Sequence, residues 1–283
     1  MTPREGIVSA ELPRAVAPPV PRRIRRRPLP AAYVVATQVA LVVLAIVIWQ
    51  WMIAAGLFNG RLLGSPAGIW HTAVTMLRNG TMFGDVRTTM QETLEGFLLG
   101  TVAGTGLGLA LWFMPFAARV FEPFLVSFNG FPKIALGPMI IIWFGSGQMS
   151  KVALAFSSTI VVALLSSYQG TREIDPDYQR LLASLGASRW DVFKILMLPG
   201  VMPRILSAMN LNIGFALVGS VAGEFLSATA GVGYAISVAG NLFDLNTVWV
   251  GVLLLVVMAM ALYFGISVLQ KILLRGRPQN IAR

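Results

Sequence analysis

Charged side chains inside long apolar stretches are the first candidates for chemistry in this chain. They are Lys133, Glu224 and, near the end of its stretch, Glu95. A charge costs free energy in the bilayer core, and residues of this kind are typical of solute paths and proton relays. Three separate groups are too few for a proton relay. If the protein moves a solute against a gradient, we expect its energy source to lie outside this chain.

The two deepest charges each fit two interpretations. Lys133 lies along a path for an anionic solute, or it extends its ammonium group to the cytoplasmic membrane surface. Glu224 lines the same path, or it marks the membrane surface at the end of its apolar stretch. The sequence is compatible with both interpretations of each residue.

The sequence lacks the motifs of common enzymes. It has no Gly-x-x-x-x-Gly-Lys-Ser/Thr phosphate-binding loop, no His-Glu-x-x-His zinc motif and no Gly-x-Ser-x-Gly nucleophile turn. It contains no cysteine and one histidine, His71, too few side chains for a cysteine- or histidine-rich metal site. We therefore predict a non-catalytic chain without a cofactor or a metal ion.

The composition predicts a membrane protein. Hydrophobic residues make up 56% of the 283 residues, charged residues 12%, and the mean hydropathy is +0.72. Soluble domains carry about 25% charged residues. We predict an all-α polytopic protein with about six transmembrane helices. The predicted spans are residues 33–55, 93–113, 123–145, 152–168, 205–225 and 248–269.

Four glycines recur every fourth residue within the second predicted span. This spacing places them on one helix face, where a neighbouring backbone can approach closely, and predicts a helix–helix seam. Glu92 and Glu95 are expected in the first turn of the same helix, where the helix dipole favours negative charge. The four glycines are Gly96, Gly100, Gly104 and Gly108.

The first thirty residues differ in composition from the rest of the chain. Residues 1–30 contain seven prolines and seven arginines, which predicts a disordered basic tail before a membrane domain at 31–283. The apolar stretch at 33–55 exceeds the 7–15 residues of a cleavable signal sequence. We therefore interpret it as an uncleaved first span.

The distribution of basic residues predicts the topology. With six spans, lysine and arginine number 17 on the side of the two termini and 4 on the other side, with Lys133 inside a span. Basic residues are enriched in cytoplasmic loops, so both termini are expected in the cytoplasm. The long polar segment at 172–204 then lies in the cytoplasm as well. This placement accounts for the net charge of +10 without nucleic acid as a partner.

Local signals in the segment 172–204 predict two short helices. Asp175 is placed to cap a helix beginning at Pro176, and Gly186 is placed to end it in a left-handed conformation. Ser188 and Asp191 have the spacing of a capping box for the second helix. We expect Pro199 to end that helix.

The spacing within this segment resembles a specific family. A glycine, nine residues, an aliphatic residue, one residue and then Leu-Pro is similar to the cytoplasmic loop of permease subunits in bacterial ATP-binding-cassette (ABC) importers. The resemblance implies a coupling helix that docks on a separate ATPase. The family's Glu-Ala-Ala opening is replaced here by Arg180, Leu181 and Leu182. The implied ATPase-coupling residues are Leu182, Gly186, Ala187, Ser188, Asp191, Leu196, Leu198 and Pro199.

Two further stretches resemble one branch of these permeases, which imports nitrate, taurine, aliphatic sulfonates and thiamine-precursor pyrimidines. One runs from Phe131-Pro132 to Phe144-Gly145. In the other, Glu224 is followed by a small-residue turn containing Gly-Val-Gly-Tyr. The implied translocation-path residues are Asn129, Lys133, Glu224, Gly231 and Gly233.

The resemblance implies a fold like that of type I ABC importers and a complete set of partners. We expect a permease subunit in the bacterial plasma (inner) membrane, carrying a small solute such as nitrate, a sulfonate, taurine or a pyrimidine precursor. The implied partners are cytoplasmic ATPase subunits, an extracytoplasmic substrate-binding protein, a second permease copy and membrane lipids. The alternatives are an ion-coupled secondary transporter, which would need internal repeats that the sequence does not clearly show, and a membrane enzyme or scaffold.

Overall fold

The computed structural model of the protein describes residues 31–57 and 59–274, and these ranges are helical with no β-strand. The chain divides into two units, residues 1–47 and 48–283. The predicted N-terminal tail lies outside the described residues. The helices are α1 Ala31–Ala54, α2 Gly60–Leu63, α3 Pro66–Arg78, α4 Thr81–Phe113, α5 Pro115–Gly130, α6 Gly137–Phe144, α7 Gln148–Arg172, α8 Pro176–Ser184, α9 Arg189–Val192, α10 Leu198–Ser227, α11 Val232–Asn241 and α12 Leu245–Leu274.

The prediction of an all-α polytopic fold is confirmed. Within the described ranges, five helical segments are long and apolar enough to cross a membrane. They lie in α1, in α4, in α7, in α9 together with α10, and in α12. The stretch predicted as the third span forms two helical pieces, α5 and Lys133–Phe144, which meet at 91° and make a sixth candidate if they count together. Pro132 and Pro138 lie at this bend, where each removes a backbone donor.

The predicted glycine seam is confirmed on α4. All four glycines of the repeat are buried, and a Cβ built at any one of them would overlap atoms of α7. Close approach of two backbones at small residues is the usual way that membrane helices associate. The overlapped atoms of α7 belong to Ala155, Thr159, Ile160 and Ser167. The pair α4–α7 is therefore the centre of the bundle, and α10 packs against both helices.

The prediction that Pro199 ends a helix is wrong. From Arg189 the chain stays helical through a π-helical turn, Phe193–Met197, and continues into α10. Pro199 lies in the first turn of α10, where its missing N–H is tolerated, and the wider turn directly before it adjusts the bonding pattern. The second helix of the polar segment is therefore continuous with a membrane-spanning helix.

Two other helices differ from the expected boundaries. Helix α4 begins at Thr81, well before the predicted span, so Glu92 and Glu95 lie inside the helix and not in its first turn. Helix α11 was missed, because its sequence is dominated by small residues that read as a turn. Gly231 precedes α11 with a φ of +112°, and the first two residues of the helix are buried.

Candidate coupling loop and distal cluster

Two groups of residues at opposite ends of α10 hold most of the predicted functional positions. One is the polar segment at 172–204, which we call the coupling loop after its predicted role. The other surrounds Glu224 near the last residue of α10, about 40 Å from Leu198 at the usual rise of about 1.5 Å per residue. We call Thr89, Glu92, Lys151 and Glu224 the distal cluster.

Apart from Pro199, the local signals of the coupling loop form as predicted. The Asp175 carboxylate accepts a hydrogen bond from the Asp177 N–H at 2.9 Å, which caps α8. Gly186 has a φ of +83°, a left-handed conformation in which a side chain is strained. The Ser188 and Asp191 side chains accept hydrogen bonds from each other's backbone N–H groups at 3.2 and 3.1 Å. These reciprocal bonds complete the capping box of α9.

Apolar residues anchor the coupling loop to the end of α4. Val192, Phe193 and Met197 form a buried cluster, and Trp112 and Phe113 of α4 pack against it. Phe193 also stacks on Trp190 with ring centroids 5.3 Å apart. The partly buried residues around this cluster include four of the predicted coupling positions, Leu182, Ala187, Leu196 and Leu198. Those four residues attach the loop to the bundle.

Three apolar side chains of α8 and its C-cap are left uncovered by the described part of this chain. Tyr178, Leu181 and Leu185 lie at three-to-four spacing and are 55%, 57% and 74% exposed. We call these three residues the α8 face. Because the capped turns on both sides fix the helix, the α8 face is a preformed ridge in the part of the chain that the structure describes.

In the distal cluster, Glu224 is almost fully buried, with 1% of its surface exposed. Its Oε1 accepts a hydrogen bond from the Thr89 hydroxyl at 2.6 Å, and its Oε2 accepts one from the Gly233 N–H at 2.6 Å. The Thr89 oxygen accepts in turn from the Val232 N–H at 2.9 Å. One carboxylate and one hydroxyl therefore join α4, α10 and the beginning of α11.

The Lys151 side chain connects two chain segments next to Glu224 by hydrogen bonds. Its Nζ donates to the carbonyl oxygens of Ser146 at 2.5 Å, Gly147 at 3.1 Å and Ser227 at 2.6 Å. The ammonium group thus links the α6–α7 connection to the end of α10. The ion pairs among the described residues do not include Lys151.

Glu92 lies beside Glu224 and is also buried. Within the described part of the chain, its Oε2 has no hydrogen-bond partner. Two neighbouring carboxyl groups repel each other when both are ionised, and burial strengthens the repulsion. The cluster therefore places two carboxyl groups and one ammonium group in the interior of this end of the bundle.

The predicted path residues separate into two groups. Glu224, Gly231 and Gly233 come together in the distal cluster and its adjoining turn, whereas Asn129 and Lys133 lie at the bend between α5 and α6. The Lys133 ammonium donates to the Asn129 carbonyl oxygen at 2.9 Å. No hydrogen bond within the described residues joins the two groups.

Sequence reasoning missed Thr89, Glu92 and Lys151 as members of a site. A signal for two of them was present, because Thr89 and Glu92 continue the face of the glycine repeat toward the beginning of α4. Lys151 offered no signal, because it reads as a residue in a polar connection. Only the packing of α7 against α10 brings its ammonium group to the carbonyl of Ser227.

Comparison with known proteins identifies the family. The sequence profile described as "binding-protein-dependent transport system inner membrane component" matches residues 96–277, more than half of the chain. The chain belongs to this family. The match covers the glycine seam, the coupling loop and Glu224. The protein is therefore a non-catalytic permease subunit of an ABC importer, and ATP is hydrolysed by separate subunits.

Individual relatives agree with this assignment. The permease is 24% identical over 255 residues to the taurine transport system permease protein TauC of Escherichia coli, covering 88% of this chain and 92% of the relative. It is 26% identical over 254 residues to a putative aliphatic sulfonates transport permease of Bacillus subtilis, covering 90% and 92%. These names match the predicted branch.

The fold of the permease is also found in a solved structure. A chain of the MetNI methionine ABC transporter, in inward-facing conformations, superposes with a TM-score of 0.59 at 17% sequence identity. The match covers 66% of this chain and 93% of the other. The predicted type I importer fold is confirmed. Family membership implies ATPase and substrate-binding protein partners and a place in the inner membrane. It also argues against the alternative of an ion-coupled secondary transporter.

Proposed function

We propose that this permease carries a small sulfonate-like anion, delivered by a binding protein, and takes its driving force from an ATPase that docks on the α8 face. The observation that carries the coupling part is the exposure of Tyr178, Leu181 and Leu185 on a helix capped at both ends. Exposed apolar ridges of this kind mark protein interaction sites. The family supplies the class of partner.

The path of the coupling signal follows from helix continuity. α9 continues through the π-helical turn into α10, so a displacement of the coupling loop tilts the whole of α10. α10 ends beside Glu224, at the other end of the bundle. An ATPase that binds one arrangement of α8 better than another would thereby bias the two states of the bundle.

The substrate proposal rests on the relatives and on one cation. The names of two relatives specify taurine and aliphatic sulfonates, both of which carry a sulfonate group. Lys133 supplies a positive charge at the α5–α6 bend, where prolines interrupt the helix. Interrupted helices within membrane proteins commonly line solute sites. Nitrate and a pyrimidine precursor, which the resemblance also implied, are the alternative solutes.

The proposed assembly contains two copies of this chain with both termini in the cytoplasm. The orientation is supported by the excess of basic residues on the side of the coupling loop, 17 against 4. A second copy and membrane lipids would cover the apolar surface of α5 and α6, where Phe116 and Ile142 are 82% and 81% exposed.

The experiment is a gentle detergent pull-down of the tagged permease from its native host, with mass identification of bound proteins. Leu181→Glu and Leu185→Glu place a charge on the α8 face, and we expect each to remove a stoichiometric ATPase. Gln179→Glu adds the same charge on another side of α8 and should retain the ATPase. A permease that purifies without any nucleotide-binding partner under several conditions would contradict the proposal.

A further inference from the structure

We propose that Glu224 is a positioning residue, which makes α11 move together with α10, and that the transported solute does not touch its carboxylate. This inference rests on the proposed function, because it assigns a role within the translocation path. It replaces the interpretation of Glu224 as a lining residue with one in which Thr89 and Glu224 act as a latch.

The first argument is that both oxygens of the buried carboxylate already accept hydrogen bonds from this chain. Oε1 accepts from the Thr89 hydroxyl and Oε2 accepts from the Gly233 N–H. The Thr89 hydroxyl has one proton, which it donates to Glu224, and its oxygen accepts from the Val232 N–H. The residue is 1% exposed, so a solute could reach Glu224 only if the surrounding packing opened.

The second argument is that the turn before α11 leaves no space beside the carboxylate. A Cβ at Gly231 would overlap Glu224 Oε1, and a Cβ at Gly233 would lie 2.5 Å from Oε2. The two glycines are therefore required because the carboxylate occupies the volume of their side chains. A second bond, from the Gly231 N–H to Asp85 Oδ1 at 3.0 Å, fixes the turn to α4.

The third argument is that the latch closes a continuous mechanical connection. α10 runs from the coupling loop to Glu224, and Lys151 ties its last residues to the α6–α7 connection through the Ser227 carbonyl. The bond from the Gly233 N–H to Glu224 adds a polar contact between α10 and α11 to the apolar packing of Val232 against Leu217 and Val221. In this proposal, the polar contact makes α11 follow the tilt of α10.

The chain offers a direct way to test this inference, because it contains no cysteine. Val232 is 1% exposed, so a Val232→Cys reporter should react slowly with a membrane-impermeant maleimide while the latch is closed. In this background, Thr89→Val removes the bridging hydroxyl with almost no change in shape. Glu224→Gln leaves an amide whose NH₂ group faces another donor, so one of its two accepted bonds is lost.

We expect Thr89→Val and Glu224→Gln to raise the labelling rate of the reporter at least tenfold. Thr89→Ser keeps the hydroxyl and should restore a rate within twofold of the parent. Thr88→Val is the matched control, because among the residues that the structure describes the Thr88 hydroxyl bonds the Gly84 carbonyl of its own helix, at 3.1 Å, and no other element. Equal labelling rates in Thr89→Val and Thr89→Ser would overturn the inference.

A second measurement separates positioning from contact with the solute. In the assembled transporter, with radiolabelled taurine as the probe, Thr89→Val and Glu224→Gln should lower the maximal uptake rate about tenfold and leave the half-saturation concentration within twofold. A tenfold rise in half-saturation with unchanged labelling would show that the solute contacts Glu224 and would overturn the inference. Absence of taurine uptake in the parent would contradict the proposed substrate class alone, since the labelling result decides the latch by itself.

Discussion

The hydroxyl of Thr89 donates a hydrogen bond of 2.6 Å to the carboxylate of Glu224, although 135 residues separate them in the chain. This contact joins α4 to the end of α10. The Val232 N–H at the beginning of α11 donates a hydrogen bond to the same Thr89 oxygen. The distal end of the bundle is therefore held by side-chain hydrogen bonds, whereas the centre of the α4–α7 seam is held by backbone approach at glycines.

Gly233→Ala should destabilise the permease. The new methyl group would lie 2.5 Å from Glu224 Oε2, which forces either the carboxylate or the turn to move. Overpacking of this kind costs about 1–3 kcal/mol. Thermal unfolding of the detergent-purified protein should show a lower Tm. Gly240→Ala is the control, because a methyl group at that position of α11 meets open space and its Tm should be unchanged or slightly higher. Equal Tm values for the two variants would contradict the prediction.

Gly100→Ala should separate α4 from α7. A Cβ at this position would overlap the Thr159 side chain and lie 3.0 Å from the Phe156 carbonyl oxygen, which belongs to the backbone and cannot move aside alone. We expect the free energy of unfolding to fall by about 1–3 kcal/mol. Gel filtration after a heat step should therefore show a smaller folded fraction than for the parent protein.

The control for the seam is Gly106→Ala on the same helix. Among the described residues, no atom outside the neighbouring backbone of α4 lies within 4 Å of a Cβ at Gly106. The substitution should therefore be neutral or stabilise by up to about 1 kcal/mol through helix propensity. If Gly106→Ala lost as much folded protein as Gly100→Ala, the cost would come from the helix itself and not from the seam.

Lys151→Met should loosen the two segments that the ammonium group joins. The substitution removes the donor to the carbonyl oxygens of Ser146, Gly147 and Ser227, and a buried polar group left without a partner costs about 1–3 kcal/mol. Hydrogen–deuterium exchange should become faster in peptides covering 145–151 and 226–233. Lys194→Met removes an exposed lysine above the Trp190 ring and should leave exchange in both peptides unchanged. Unchanged exchange in Lys151→Met would mean that the carbonyl contacts do not hold these segments.

The effect of substitutions at Gly186 should depend on whether the new residue tolerates the backbone conformation, and not on the size of its side chain. Its φ of +83° is tolerated by asparagine and costs about 1–2 kcal/mol for alanine, while proline cannot adopt it. We expect transport-coupled ATP hydrolysis to decrease in the order Gly186→Asn, Gly186→Ala, Gly186→Pro, with no change in the amount of inserted protein. Wild-type coupling in Gly186→Pro would contradict a role for the turn.

The coupling loop was predictable from sequence because its signals are local. A cap at Asp175, a left-handed glycine at Gly186 and the box of Ser188 and Asp191 each involve residues within four positions of one another. Whether Pro199 ends a helix or lies at the beginning of one was not predictable in this way. A proline can end a helix or begin one, and the choice was made by the π-helical turn before it, which packs Phe193 and Met197 against α4.

The sequence by itself determined the membrane class of the protein, its helical fold, the glycine face of α4 and the capped coupling loop, because each depends on composition or short-range periodicity. The tertiary structure alone decided that Glu224 is buried against Thr89 and Gly233, and that Lys151 bonds backbone carbonyls of two separate segments. Those partners lie up to 135 residues apart, and only the packing of α4, α7 and α10 brings them within hydrogen-bonding distance.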